Sequence, residues 1–222
     1  MPAVVCVIPA LNAEPTLGAV IVGLRHSLPA ARIVVVDDGS TDGTRRLAET
    51  IADATLAHDR NMGKGAALRS GFAEARRHGA EVILTIDADG QHDPSRAAAL
   101  VDALADADVV IGVRERIGTR MPLRRRFSNA LSSAFISRCA GCPLPDTQSG
   151  YRAIRAEVID RIQPRGDRYE FETDFIILAA RAGFRIIGVP IPTIYGAPSH
   201  FNEIKDTLRV ARMIWYHREK LL

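Results

Sequence analysis

Short apolar runs alternate along the first half of the chain with longer segments in which apolar residues recur at helical spacing. The runs have the length and composition of strands buried on both faces, and they cover residues 4–8, 33–36, 82–86 and 109–113. The helical segments lie between them, at residues 19–28, 42–51, 64–77 and 93–104. Strands that alternate with helices in this way predict a parallel sheet covered by helices on both faces.

The alternation becomes less regular after residue 113. A basic segment comes first, at residues 114–126. The later patterns predict a helix over 127–139, a turn and strand over 146–155, a helix over 172–181, a strand within 184–194 and a helix over 203–220. Pro190 and Pro192 interrupt the last strand, so we expect it at an edge of the sheet.

Polar residues directly follow three of the predicted strands. Asn12 follows the first strand, Asp-Asp-Gly-Ser at 37–40 follows the second, and Asp-Ala-Asp-Gly-Gln at 87–91 follows the third. Ligands of parallel sheets gather beyond the carboxyl ends of the strands. We therefore expect the three clusters to share one pocket.

Asp87 and Asp89 place two carboxylates two residues apart at a strand end. Mg²⁺ and Mn²⁺ prefer oxygen ligands and often bridge one or two carboxylates to the phosphates of a substrate. Gln91 could supply a third, neutral oxygen. A polar turn is the alternative, because Asp and Gly also form turns, but the position after a buried strand favours a metal site.

The clusters are typical of nucleotide binding without a dinucleotide cofactor. Asp38 lies at a strand end of the kind that binds ribose or base edges, and Gly39 would let a ligand approach the backbone. No G-x-G-x-x-G follows the first strand. Gly-Lys-Gly at 63–65 lacks the spacing of a P-loop; Lys64 could contact a phosphate at the start of a helix, or the segment is an ordinary turn.

Composition narrows the class of protein without defining a ligand. A chain of 222 residues with 47% hydrophobic and 25% charged residues is typical of one globular domain. A net charge of +3 is compatible with a phosphate-bearing partner and does not indicate nucleic acid. Cys139 and Cys142 have no second pair to complete a zinc site, and Cys6 fits a buried strand. We find neither a secretory signal nor an apolar run that approaches the ~20 residues of a membrane span.

Four motifs of the first half resemble the family-two inverting glycosyltransferases. They are IPALN at 8–12, VVDDGSTDGT at 35–44, NMGKG at 61–65 and DADGQHDP at 87–94. Two later motifs, DTQSGYR at 146–152 and GFRI at 183–186, resemble the dolichol-phosphate mannose synthase branch, which glycosylates a polyprenyl phosphate. The resemblance implies a GT-A fold, which is a nucleotide-binding sheet with a D-x-D metal site.

The resemblance also implies roles for individual residues. The nucleotide sugar would contact Pro9, Asp38, Asp87, Ala88 and Asp89, and the metal ligands would be Asp87, Asp89 and Gln91. From the same motifs we add Leu11, Asn12, Gly39 and Lys64 to the donor site. Glu14 is a further candidate, because the branch usually has glutamate directly after the asparagine, where this chain has Ala13 and then Glu14.

The basic segment is the candidate acceptor site. It contains one acid, Glu115, and six arginines, which are Arg114, Arg116, Arg120, Arg124, Arg125 and Arg126. A solvated face is the common alternative, but arginine suits phosphate oxygens. The resemblance implies that Arg114 and one of Arg125 or Arg126 hold the acceptor phosphate.

The acceptor determines whether a general base is needed. A phosphate monoester is ionised at pH 7 and can attack without a base. A hydroxyl acceptor would need a carboxylate, for which Asp146, Glu172 and Asp174 are the candidates.

The sequence thus predicts a metal-dependent inverting glycosyltransferase that moves mannose or glucose from a GDP-mannose or UDP-glucose type of donor to a polyprenyl phosphate. Within one domain over 1–222, we expect residues 1–113 to bind the donor and 114–202 to bind the acceptor. The amphipathic helix over 203–222 would contact the membrane interface or the protein's own core, which implies a cytoplasmic protein or one peripheral at the cytoplasmic membrane face. The alternatives are transfer to a soluble hydroxyl acceptor and a nucleotide-sugar-binding protein without turnover.

Overall fold

The computed structural model describes residues 2–114, 136–138, 140–141, 143–144, 146–147, 149–192 and 213. Several predictions fall wholly or mainly elsewhere: Arg125, Arg126 and the C-x-x-C pair lie outside the described residues, and only residue 213 of the amphipathic helix over 203–222 is described. The predicted helix over 127–139 is described only at residues 136–138, which are helical.

Strands and helices alternate through residue 114, and besides the helical residues 136–138, two further strands and two further helices follow the basic segment in the described part. In chain order the elements are β1 (Val4–Ala10), α1 (Glu14–Ser27), β2 (Arg32–Asp37), α2 (Thr44–Ile51), β3 (Ala54–Ala57), α3 (Lys64–Arg77), β4 (Val82–Thr85), α4 (Ala97–Asp102), β5 (Val109–Arg114), β6 (Arg152–Arg155), α5 (Ala156–Arg161), α6 (Glu170–Arg181) and β7 (Ile186–Ile191). The predicted bounds of α3 agree with the structure. Asp93 caps a short 3-10 helix at Pro94–Arg96, because its side chain accepts a hydrogen bond from the Ser95 amide.

The strands form one sheet in the order β3-β2-β1-β4-β6-β5-β7. Among the described strands, only β6 runs antiparallel, to both β4 and β5, so the prediction of a mainly parallel sheet is confirmed. Strand β7 lies at the edge, as its prolines indicated. Strand β3 was not predicted from the sequence, because it has only four residues, its apolar positions are interrupted by Thr55, and none of them is fully buried.

The two faces of the sheet bury separate apolar cores. On one face, Val5 and Val7 of β1 pack with residues of α3 and α6, among them Phe72. On the other face, Cys6 and Ile8 pack with residues of α1 and α4. The alternation of side chains along a strand explains the division, and the prediction of helices on both faces is confirmed. Burial raises the pKa of Cys6 to about 12, as expected of a core thiol.

The carboxyl ends of most strands lie at one edge of the sheet. Strands β1 to β5 run in the same direction, so their carboxyl ends lie at this edge, whereas the antiparallel β6 begins there. The residues after β1, β2 and β4 therefore lie along one side of the molecule, as expected from the sequence, and the residues before β6 join them there.

Candidate active site

A largely buried lysine lies between two carboxylates at this edge. Lys64, the first residue of α3, places its Nζ 2.6 Å from Asp87 Oδ1 and 3.1 Å from Glu172 Oε2. Gly150 leaves room for the pair, because a Cβ at that position would lie 2.7 Å from both Lys64 Nζ and Asp87 Oδ2. Four distant segments thus meet at one ammonium group.

The positive charge of Lys64 and the negative charges of Asp87 and Glu172 stabilise one another. Burial by itself would lower the pKa of Lys64, but Asp87 and Glu172 raise it well above its usual range. Burial likewise acts to raise the pKa of Asp87, yet the cationic Lys64 and Arg152 hold it below its usual range. Both groups are therefore charged at neutral pH.

The second carboxylate of the acidic pair lies in a tight turn. Asp89 Oδ1 accepts a hydrogen bond of 2.9 Å from the Gln91 amide, and Gly90 has a φ of 72°, which favours glycine. The carbonyl oxygen of Ala88 accepts a bond of 2.6 Å from Thr16 Oγ1. The turn after β4 is thereby fixed to α1, with Asp87 and Asp89 partly exposed.

The residues of this turn fit a metal ion that is shared with a substrate. No group of three or more His, Cys, Asp or Glu side chains in the described part of the chain is placed to hold an ion. Two carboxylates and the amide oxygen of Gln91 are nevertheless the hard ligands that Mg²⁺ and Mn²⁺ prefer. Magnesium commonly completes such a set with phosphate oxygens and water. The donor set therefore suits an ion that binds together with a diphosphate.

His92 is a neighbour of the acidic pair that the sequence analysis did not select. Its ring is 6% exposed and lies against Tyr151, with 5.5 Å between the ring centroids. Burial is the main reason that its pKa is lowered to about 4, so the ring is neutral at neutral pH. Its Nδ1 atom has no hydrogen-bond partner among the described residues. Its position directly after Gln91 was the available sequence signal.

Arg152 was also missed, and it holds the segment before β6. Its guanidinium is buried and donates to the carbonyl oxygens of Ser149, Thr147 and Glu172 at 2.8, 3.1 and 3.1 Å. These bonds connect the DTQSGYR motif with the first turn of α6. Arg152 therefore positions both Gly150 and Glu172 around Lys64.

Asp38 is buried and accepts hydrogen bonds from the chain itself. Its Oδ1 accepts from the Met62 amide at 2.9 Å and lies 2.7 Å from His58 Nδ1, and its Oδ2 accepts from the Gly63 amide at 2.7 Å. The other ring nitrogen of His58 lies 3.0 Å from Ser70 Oγ. Asp38 thus fixes the loop that leads into Lys64, a role that the sequence analysis did not foresee.

The other donor-site candidates near β1 and β2 brace the loop after β2. Asn12 Oδ1 accepts from the Thr41 amide at 2.8 Å, and Glu14 Oε2 accepts from the Gly43 amide at 2.9 Å. The space beside Gly39 is filled by the backbone of Arg60, with which a Cβ would collide. The close approach to Gly39 on its Cβ side is therefore made by the chain itself, and contact of Gly39 with a ligand stays a prediction. Pro9 and Leu11 are partly buried at the end of β1 and just beyond it.

Arg114 is the last residue of β5, whereas the predicted strand ends at residue 113 and leaves Arg114 in the basic segment. Its Nε and Nη2 atoms donate to the two carboxylate oxygens of Asp146 at 2.6 and 2.9 Å. Asp146 thereby anchors the chain before β6 to the end of β5, next to His92, whose pKa both residues influence.

Asp174, a candidate base, is hydrogen-bonded to the backbone of the segment that precedes α6. Its side chain is buried in α6, and Oδ2 accepts a hydrogen bond of 2.6 Å from the Arg165 amide. This bond fixes the segment between α5 and α6. In the described part of the chain, Asp174 therefore has a structural hydrogen bond.

A mainly parallel sheet with helices on both faces and an acidic pair at its carboxyl edge defines the class of nucleotide-sugar transferases with the GT-A fold. A family model described as "Glycosyl transferase family 2" matches residues 5–163. The chain belongs to this family, and it is a glycosyltransferase.

Relatives of the chain include enzymes named for polyprenyl-phosphate acceptors. An undecaprenyl-phosphate mannosyltransferase of Micrococcus luteus is 34% identical over 201 residues, which cover 85% of this chain and 82% of that protein. A polyprenol monophosphomannose synthase of Mycolicibacterium smegmatis is 34% identical over 198 residues, covering 83% of this chain and 75% of that protein.

Among solved structures, glucosyl-3-phosphoglycerate synthase from Mycobacterium tuberculosis has the same fold. Its complex with Mn²⁺, UDP and glucosyl-3-phosphoglycerate superposes with a TM-score of 0.75 at 20% identity, over 97% of this chain and 80% of that chain. A complex of the same enzyme with Mg²⁺ and UDP gives a TM-score of 0.71 at 23% identity, over 97% of this chain and 79% of that chain. At these identities the likeness establishes the GT-A fold.

Across the described residues, none of the helices combines the length and the apolar character that crossing a membrane requires.

Proposed function

We propose that this glycosyltransferase is a metal-dependent inverting enzyme that transfers mannose or glucose from a nucleotide diphosphate sugar to a polyprenyl phosphate. The observation that carries the proposal is the acidic pair Asp87 and Asp89 at the carboxyl edge of the sheet. Relatives named for polyprenyl-phosphate acceptors, at 34% identity over most of the chain, support the acceptor class.

The donor would bind along the carboxyl edge. Asp87, Asp89 and Gln91 would hold Mg²⁺ or Mn²⁺, which when bound supplies positive charge to a diphosphate leaving group. Lys64 lies within 2.6 Å of Asp87 and provides a second, fixed cation there. The loops held by Asn12, Glu14 and the Asp38 carboxylate would border the nucleoside; Pro9, Leu11, Gly39 and Ala88 complete the proposed donor site.

The acceptor phosphate would be its own nucleophile. Its second pKa of ~6 leaves it ionised at pH 7, so proton removal is unnecessary. Two of the three candidate bases have other partners: Glu172 pairs with Lys64, and Asp174 accepts from the Arg165 amide. Because neither carboxylate is needed as a base, the rate should keep a pH-independent plateau in the Glu172→Gln and Asp174→Asn variants.

Arg114 and one of Arg125 or Arg126 are proposed to hold the acceptor phosphate. Charge reversal of both Arg125 and Arg126, to glutamate, should raise the KM for a polyprenyl phosphate roughly tenfold to a hundredfold, because each charge-assisted bond is worth ~1.5–3 kcal/mol. The donor KM should change little. Steady-state kinetics with each substrate varied in turn measures the two effects separately, and an equal rise in both constants would contradict the assignment.

Asp38 is expected to support nucleotide binding independently of the metal. Asp38→Ala removes the acceptor of two backbone amides in the loop before Lys64. Binding of free GDP or UDP in EDTA should weaken roughly tenfold, the equivalent of one such hydrogen bond. Isothermal titration calorimetry with and without Mn²⁺ provides the test. An effect confined to the samples that contain metal would place Asp38 with the ion site instead.

Transfer from a labelled donor tests the function as a whole. The enzyme is offered a polyprenyl phosphate, the matching polyprenol and a soluble sugar acceptor, with GDP-mannose and UDP-glucose as donors. Transfer to the phosphate alone supports the proposal. Transfer to a hydroxyl acceptor that is abolished by loss of one carboxylate would favour a base-dependent enzyme with a soluble acceptor.

A lipid acceptor implies a location at the cytoplasmic membrane face. Residues 203–222 would provide the peripheral contact through their apolar face and basic flanks. Flotation of the protein with anionic vesicles, compared with a variant truncated after residue 202, tests this part of the proposal.

A further inference from the structure

Lys64 forms an ion pair with Asp87, and the carboxylate of Asp87 is also a ligand of the proposed metal site. The Lys64 Nζ is 2.6 Å from Asp87 Oδ1, and both side chains are largely buried, with 16% and 23% exposure. A close pair with so little water around it interacts more strongly than a surface pair. An ion that binds Asp87 must therefore compete with an ammonium group already in place.

Glu172 remains as a partner of Lys64 when Asp87 binds a metal ion. Glu172 Oε2 lies 3.1 Å from Nζ, with its side chain 9% exposed, and Arg152 fixes the backbone of Glu172 by donating to its carbonyl oxygen. The ammonium therefore keeps one carboxylate if the other turns to a metal ion. A diphosphate that arrives with the ion would supply the missing negative charge, since Lys64 opens α3, where phosphates are favoured.

We propose that the Lys64–Asp87 ion pair prevents a metal ion from binding to the acidic site without a nucleotide, so that the ion and the donor diphosphate bind together. The inference rests on the metal site proposed above and adds a function for Lys64: it couples the two ligands. Coupling of this kind is reciprocal, so the nucleotide must strengthen ion binding by the factor by which the ion strengthens nucleotide binding.

Replacing Lys64 by methionine tests the inference without measuring activity. Lys64→Met removes the competing charge and keeps a side chain of similar length. The Kd for Mn²⁺ in the absence of nucleotide, measured from the electron paramagnetic resonance signal of the free ion, should fall about tenfold or more, as close charge pairs are commonly worth at least that factor. Addition of GDP or UDP should then strengthen Mn²⁺ binding less than it does in the parent protein.

Two control variants separate the pair from general charge effects. Arg77→Met removes a positive charge from the other end of α3, where the side chain is 74% exposed, and should leave the Kd for Mn²⁺ unchanged. Lys64→Met with Glu172→Gln removes one charge of each sign. This double variant keeps the local net charge, avoids an uncompensated Glu172, and should still bind Mn²⁺ more tightly than the parent.

The outcomes distinguish this inference from the proposed function. If folded Lys64→Met and the double variant bind Mn²⁺ alone no more tightly than the parent, while Asp89→Asn binds it more weakly than the parent in the presence of GDP or UDP, the metal site stands and the coupling role of Lys64 is overturned. If Asp89→Asn binds Mn²⁺ as the parent does in the presence of GDP or UDP, the ion is not held by the acidic pair, and both proposals fail.

Discussion

Asp89→Asn should abolish most metal-dependent donor binding while the fold remains intact. The substitution keeps the size of the side chain but removes the negative charge of one of two proposed carboxylate ligands. We expect kcat/KM to fall on the order of 10²–10³, the usual cost of losing one group that stabilises charge in the transition state. Titration calorimetry with GDP or UDP in the presence of Mn²⁺ should show the loss directly.

Asp93→Asn is a matched control for this experiment. Asp93 lies four residues further along the same segment and accepts a hydrogen bond of 2.9 Å from the Ser95 amide. An asparagine oxygen can accept the same bond, so this variant should retain metal-dependent binding. Equal binding by the parent and Asp89→Asn would show that the metal assignment is wrong.

Arg152→Met should cause the largest loss of stability among the site variants. Arg152 is 3% exposed and is the donor to three carbonyl oxygens, which methionine would leave without that partner. The free energy of unfolding should fall by about 3 kcal/mol or more, because each unsatisfied buried acceptor costs ~1–3 kcal/mol. Urea denaturation followed by circular dichroism gives the value.

Arg155→Met tests the same chemistry at the other end of β6. Arg155 also donates to carbonyl oxygens, those of Leu104 and Ala107, but its side chain is 42% exposed. Water can replace its hydrogen bonds, so the loss of stability should be clearly smaller than for Arg152→Met. Similar losses for the two variants would contradict the role assigned to burial.

Local sequence patterns were sufficient to predict most of the sheet and the position of the acidic pair. The buried strands β1, β2, β4 and β5 carry continuous apolar runs, and the carboxyl ends of parallel strands necessarily meet. The position of Asp87 and Asp89 at this edge follows from those two facts alone. The short strand β3 carries no such run, so its place beside β2 depends on pairing that a local pattern does not contain.

The contacts inside the site were less predictable because they join segments that are distant in sequence. Lys64 was selected as a possible phosphate contact, but its pairing with Asp87 and Glu172 arises from the meeting of α3, β4 and α6. Arg152 looked like an ordinary charged residue in a strand, and only the packing of β6 buries it. Asp38 illustrates the same limit, since its partners Met62 and Gly63 belong to a loop whose position the sequence did not define.

The antiparallel insertion of β6 has a consequence for how the chain folds during synthesis. Strand β4 pairs on one side with β1 and on the other with β6, where Val82 is opposite Arg155. Strand β5 pairs with β6 and β7 among the described strands. Until the ribosome has released residue 155, β4 therefore has an open edge and β5 has no partner. Formation of the catalytic edge must then wait for a contact of long sequence separation, which is a slow step in folding. A fragment of residues 1–113 would keep this exposed strand edge and would be expected to aggregate.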